Sequence, residues 1–211
     1  MTVKNRVGAW GLFSVAAAAD AAATLLTVHG QVLPKCDPDN GGIRLPMGFC
    51  ALVAADNLGA ARHMVAARNG DLYVALMTSG GRGQPQTGGG AVALRDANND
   101  GKFEVVERFG SGSTTGIAIR NGYVYLAHPQ IIERFKLTDG TLKPTGGAET
   151  IVTGPPTDRQ HEDKGIAFDG RGGPYINVGA PSNACQDPDR RPGVKGVDPC
   201  PLLEKHAGIW K

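Results

Sequence analysis

The sequence predicts an all-β chain assembled from β-propeller blades, and three observations carry that reading. Gly (31) and Pro (14) make up about a fifth of the 211 residues, yet 41% of the chain is hydrophobic and lies in short runs, as in proteins of many short strands joined by tight turns. Three segments share one pattern of alternating apolar residues, a Gly turn and a second apolar run. Beyond residue 50 no stretch of useful length has the 3.6-residue period of a helix.

The repeating segments read as β-hairpins. The first pairs residues 62–66 with 72–74 around Asn69-Gly70-Asp71, the second 116–119 with 123–126 around Asn121-Gly122, and the third 165–168 with 175–178 around Gly173-Pro174. Aligned on Tyr73, Tyr125 and Tyr175 they stand 52 and 50 residues apart, the blade length of kelch-size propellers, roughly 50 residues. Further strands are expected at 91–95, 131–137 and 208–211, and outer strands at 103–109 and 149–152. Four strands per repeat make a blade, with each hairpin supplying the inner strands. The chain holds about three blades, whereas a closed propeller needs at least four, and Lys211 falls inside the third. An open set of blades would leave hydrophobic faces and strand edges exposed to aggregation or pairing, so an amino-terminal piece of a longer propeller is expected.

Residues 1–30 differ from the rest. Lys4 and Arg6 precede a mostly apolar stretch over 7–19, and small residues surround Ala19-Asp20-Ala21, the outline of a secretory signal peptide and leader. The alternative is an alanine-rich helix; the stretch is too short and interrupted for a membrane span. The partial propeller domain is then 31–211, with no integral membrane segment. Four cysteines fit export. Cys36 and Cys50 enclose one short loop, Cys185 and Cys200 another, and neither pair has CxxC spacing. Two local disulfides in a secreted or periplasmic protein account for them, although four cysteines allow three pairings. Residues 179–202 carry Pro, Asp and Arg in place of alternation and read as an inserted loop pinned by the second pair; loops on rigid scaffolds are where function gathers. With a net charge of +2 and no basic run interleaved with aromatics, nucleic acid is not an expected partner.

No GxSxG, HExxH, Walker loop or strand-flanked GxGxxG occurs, and no CxxCH that would attach a haem. Asp96, Asn98 and Asp100, with Gly101 and then Glu107, satisfy the text of an EF-hand calcium loop. An EF-hand needs flanking helices, and the flanks here alternate like strands, so a hairpin turn rich in Asn, Asp and Gly is the preferred reading and a structural Ca2+ clip the alternative. His63 and His128 sit beside inner strands and either line the channel or pack. The Gly-rich run over 80–90 reads as a flexible loop on the channel side.

Three strings carry a family resemblance. Residues 45–63 resemble the opening blade of the pyrroloquinoline-quinone-dependent glucose/sorbosone dehydrogenases, 165–169 with 175–185 resemble their third-blade motif, and Ala207-Gly208-Ile209-Trp210 is similar to the strand that follows. The resemblance covers nearly everything after residue 31. It implies a six-bladed propeller that oxidises an aldose or sugar aldehyde by hydride transfer to pyrroloquinoline quinone, with Ca2+ binding and polarising the quinone and a separate electron acceptor. It implies that His161, just before the third-blade inner strand, is the general base. An imidazole is suited to that task because its ordinary pKa lies near neutrality; the plainer reading is a loop histidine among Asp158, Arg159, Glu162 and Asp163. Lys164 and Arg62 match basic positions of the family and are candidate cofactor contacts, with packing and a satisfied ion pair as their structural alternatives. The motif departs from soluble glucose dehydrogenases at Ala180, where they have an Asp that orients the histidine; Asn183 is the nearest polar candidate for that role or for the cofactor. The family's remaining cofactor and calcium residues come from blades beyond Lys211. Competing readings are a non-catalytic propeller that binds carbohydrate or protein, and a calcium-dependent lactonase-like hydrolase.

Overall fold

The computed structural model describes residues 34–80, 85–157 and 160–211; the expected leader, residues 1–30, lies outside them. Blade 1 consists of β1 (Ala60–Ala66), β2 (Leu72–Ser79), the two-residue β3 (Thr87–Gly88), β4 (Ala91–Arg95) and β5 (Val105–Phe109), in the antiparallel order β1-β2-β4-β5 with β3 paired to the end of β2. Blade 2 is β6 (Gly116–Arg120), β7 (Tyr123–Ala127), β8 (Ile131–Lys136) and β9 (Glu149–Thr153), in sequence order. Blade 3 is β10 (Ile166–Phe168), β11 (Pro174–Val178) and β12 (Gly208–Trp210). Two short 3-10 turns complete the list, and the described residues contain no α-helix. The described residues are therefore all-β and form three propeller blades, and each of the three hairpins expected from the sequence forms the inner pair of a blade.

The second hairpin shows why so short a link suffices. Arg120 pairs with Tyr123, leaving Asn121 (φ 49°) and Gly122 (φ 75°) as the two turn residues. Both carry the positive φ that a two-residue turn matched to strand twist demands, and Asn and Gly adopt it at little cost.

Strand alternation sorts the side chains between blades. Tyr73 and Ala75 of β2 face blade 2 and join Ile117, Val124, Leu126 and Phe135 in one buried cluster, with Phe109 edge-on to Phe135 at 5.4 Å between ring centres. On the other face of β7, Tyr125 and Ala127 pack with Ile132 of β8 and Ile176 of blade 3, Tyr125 standing edge-on to Phe168 at 4.7 Å. Tyr73 and Tyr125 thus each face the blade that follows; Tyr73 also donates from its hydroxyl to the Leu142 carbonyl of blade 2, at 2.7 Å. The free face of blade 1, formed by Val74, Leu76, Val92 and Leu94, is covered by Ala55 and Leu58 of the preceding arm. The strand expected from 103 begins at Val105 instead. Phe103 belongs to that covering layer: its N–H donates to the Ala54 carbonyl and its ring packs on the cluster.

Candidate functional site at the entrance of blade 3

The inner strands are joined to one another at their entrances by polar contacts at a repeating position. The His63 Nδ1 lies 2.7 Å from the Thr115 carbonyl oxygen. The Thr115 hydroxyl in turn accepts from the Lys164 N–H at 2.8 Å and donates to the Lys164 carbonyl at 3.1 Å. Gly116 permits that approach, because a Cβ there would overlap the Lys164 carbonyl oxygen. Lys164 is almost fully buried, 1% exposed, and its ammonium donates to the Glu162 carbonyl at 2.9 Å. Burial pushes its pKa down, against the opposing pull of Glu162 and Asp163. Arg62 forms an ion pair with Asp163 across the same seam. Asn177, on β11, braces the segment from the other side: its amide oxygen accepts from the Gly165 N–H and its NH2 donates to the Asp163 carbonyl at 2.8 Å.

His161 sits where this braced segment meets the exit of β11. It is exposed and takes a positive φ of 53°, a conformation uncommon outside glycine that needs support from its surroundings. Gly179 supplies the room, since a Cβ at that position would overlap the His161 backbone carbonyl and crowd its Cβ. The ring Nδ1 lies 2.5 Å from the Ala180 carbonyl oxygen. The position that lacks an orienting carboxylate side chain therefore holds the imidazole through its backbone. On the other side of the ring, the amide orientation of Asn183 that satisfies both of its neighbours is the one with its oxygen toward the guanidinium: its NH2 then donates to His161 Nε2 at 3.0 Å, and its oxygen accepts from Arg190 Nε at 3.3 Å and Nη2 at 3.0 Å. His161, Ala180 and Asn183 are thus brought together, with Arg62 joined to Asp163 two residues on from His161 and Lys164 three residues on.

The inserted loop is tied down where it passes this point. Cys185 and Cys200 form a disulfide, as do Cys36 and Cys50 in the arm that covers blade 1. Asp189 accepts from the Ser182 hydroxyl at 2.6 Å and from the Gln160 amide at 3.1 Å, and the Gln160 oxygen accepts from Arg190 at 2.9 Å. The Ser182 bond, then the Gln160 bond, hold the Asp189 carboxyl below its ordinary pKa. Arg190 and Gln160 carry no motif, and the sequence alone does not bring them to His161.

The other candidates lie elsewhere. His128 is buried, with Nε2 3.0 Å from a Glu133 carboxylate oxygen and Nδ1 3.1 Å from the Ser113 carbonyl, which makes it a clamp between β7, β8 and the entrance to β6. In the acidic turn, Asp96 accepts from the Asp100 and Gly101 N–H groups, Asn98 from Asp100, and Asp100 from Lys102. The oxygens satisfy the turn's own backbone, as hairpin-turn chemistry requires. The third carboxylate close to Asp96 and Asp100 is Glu104, not Glu107, which stands on β5 opposite Ala93 and faces Lys143 at 3.6 Å. A cleft of about 580 Å3 opens at the opposite ends of the strands, beside the β1–β2 and β6–β7 turns, and His161 is not among its lining residues.

Known proteins match this architecture by structure alone. The holo form of the PQQ domain of pyranose dehydrogenase from Coprinopsis cinerea aligns with a TM-score of 0.50 and 17% identity, covering 62% of this chain and 30% of that one. A calcium structure and an iodide structure of a Trichoderma reesei protein of Carbohydrate-Active Enzymes Family AA12 align with a TM-score of 0.55 and 16% identity, covering 74% of this chain and 35% and 36% of theirs. The chain spans about a third of the length of these proteins. No protein-family model matches it, and no curated protein does by sequence. The shared property is the propeller fold of PQQ domains, and fold by itself leaves the chemistry open.

Proposed function

We propose that this chain is part of a secreted or periplasmic quinoprotein oxidoreductase of the glucose/sorbosone dehydrogenase type, which oxidises an aldose or sugar aldehyde and passes electrons to a separate acceptor. The observation that carries the reading is the seating of His161: an exposed imidazole at the blade entrance, held at Nδ1 by a backbone carbonyl, with its Nε2 lone pair turned to a side-chain amide. The donor chemistry around it suits an anionic planar quinone, because Arg190 and Arg62 present guanidinium groups that are 63% and 42% exposed and Asn183 presents an amide. Arg62, Asn183 and Arg190 are the residues here that would hold such a group. Pyrroloquinoline quinone, when bound with Ca2+, supplies the hydride acceptor.

The chain's own residues do the proton chemistry. A substrate hydroxyl takes the place of the Asn183 NH2 as donor to His161 Nε2, which accepts its proton as the hydride leaves carbon. The Nδ1 contact to Ala180 keeps the ring from turning while Nε2 gains its proton. Lys164, buried beneath the entrance, keeps the 160–164 segment in place through Thr115.

The test is reconstitution of the native protein at full length with pyrroloquinoline quinone and Ca2+, followed by aldose-driven reduction of an artificial acceptor dye. His161→Ala is expected to lower turnover by about 100-fold or more and leave the fold intact. Turnover unchanged by that substitution removes His161 from the mechanism. Dye reduction that never depends on the quinone removes the reading altogether, and hydrolysis of a sugar lactone without quinone favours the lactonase-like alternative.

A further inference from the structure

The inserted loop brings a guanidinium to the amide that faces His161. Arg190 places both Nε and Nη2 on the oxygen of Asn183. It is anchored from behind by the Gln160 oxygen at 2.9 Å and by the Asp189 carboxylate at 3.6 Å, and Asp189 is itself fixed by Ser182 and Gln160. A guanidinium only donates, so the amide oxygen must face it and the NH2 must face the imidazole. An NH2 group only donates as well, so His161 Nε2 must accept and the ring proton must sit on Nδ1, where the Ala180 carbonyl receives it.

We propose that Arg190 is a positioning residue that, together with the Ala180 carbonyl, holds the proton of His161 on Nδ1 by locking the orientation of the Asn183 amide. A neutral imidazole free in water favours the opposite tautomer, with the proton on Nε2. In that form the nitrogen facing the entrance carries no lone pair and cannot take a proton from a substrate. The Arg190–Asn183 relay therefore keeps the ring in the form a base requires before substrate arrives. The catalytic meaning of the lock rests on the function proposed above; the tautomer itself rests on geometry alone.

Nitrogen-15 spectra of the full chain labelled at histidine read the tautomer directly, at a pH where the ring is neutral, with His161→Gln identifying the signals. The wild-type ring is expected to be predominantly Nδ1-protonated. Arg190→Met, at an exposed loop position, is expected to raise the Nε2-protonated fraction above that of wild type, against the Nδ1 preference that the Ala180 carbonyl retains, with the remaining histidine signals unmoved, and Arg190→Lys to restore part of the original state. Asn183→Leu removes the relay at its second member and is expected to reproduce the Arg190→Met spectrum. A wild-type ring protonated on Nε2, or an Arg190→Met spectrum identical to wild type, overturns the proposal. A correct tautomer in a full-length protein that oxidises no sugar leaves the lock standing and sinks the proposed activity; dye-linked turnover in which Arg190→Met changes neither tautomer nor kcat does the reverse.

Discussion

The seam between blades 1 and 2 and the entrance of blade 3 are built on opposite principles. The seam is apolar: Tyr73, Ala75, Ile117, Val124, Leu126 and Phe135 fill one buried cluster, and its stability is a sum over many weak contacts with little dependence on the angle of any one. The entrance is polar. His161, Asn183, Arg190, Gln160 and Asp189 each have a named partner for a named atom, so one substitution leaves a particular donor or acceptor without its partner. Removing an atom from the seam should therefore lower stability and leave the imidazole alone, whereas changing the entrance should alter the imidazole and barely touch stability.

The largest effect is expected from Leu126→Ala, which empties a fully buried position of the seam. A loss of about 3 kcal/mol is expected, measured by urea unfolding, with the His161 nitrogen signals unchanged. Moved signals would mean that the two regions are mechanically coupled and that the contrast fails. A smaller effect is expected from Asp71→Asn. Asp71 is buried and takes two bonds from Arg95, both 2.7 Å. The loss is about 2 kcal/mol at neutral pH, below the value for a fully buried pair because Arg95 is partly in water. The Arg95 bond is the main reason the Asp71 pKa lies below its ordinary value. Its ionised form is the one the fold prefers, so this stability is complete above the unfolded pKa of about 3.9 and is lost as pH falls through the lower folded value. The gap between wild type and variant should close on acidification; a gap that persists at pH 2 assigns the effect to packing. The smallest effect is expected in the exposed turn, where Asp96→Ala releases the Asp100 and Gly101 N–H groups to water at a cost of about 1 kcal/mol. A chelator should leave the melting temperature of the chain unchanged, and a drop on chelation would mean that the turn holds an ion.

The legibility of the sequence follows the same division. The hairpins were readable because alternation and Asn-Gly chemistry are local: Tyr123 to Leu126 alternates between the two neighbouring blades, and the turn before it permits only one geometry. The disulfide partners were readable from proximity, and the structure pairs them so. Phe103 misled because an aromatic before an alternating run looks like strand, while its backbone is taken by Ala54 of the distant arm. In the acidic turn, Glu107 fitted the textual pattern, yet the period-two register of β5 sends it to Lys143 and leaves Glu104 beside Asp96. At the entrance, His161 and Asn183 could be singled out, but the help given by Ala180 comes from a backbone oxygen that any residue has. Arg190 and Gln160 are thirty residues apart, and only the folded loop joins them.

The imidazole takes its place from Gly179 and Ala180, which belong to the exit of a strand. The far reach of the loop, around residues 191–198, is tied back to residues 185 and 186 through the backbone oxygens that Gln186 gathers, the Val197 N–H on the Cys185 carbonyl, and the disulfide at its base. The tip of the loop is thus a replaceable part. Its length and composition can drift, or be exchanged by design, while the His161 imidazole stays where the β-scaffold has set it.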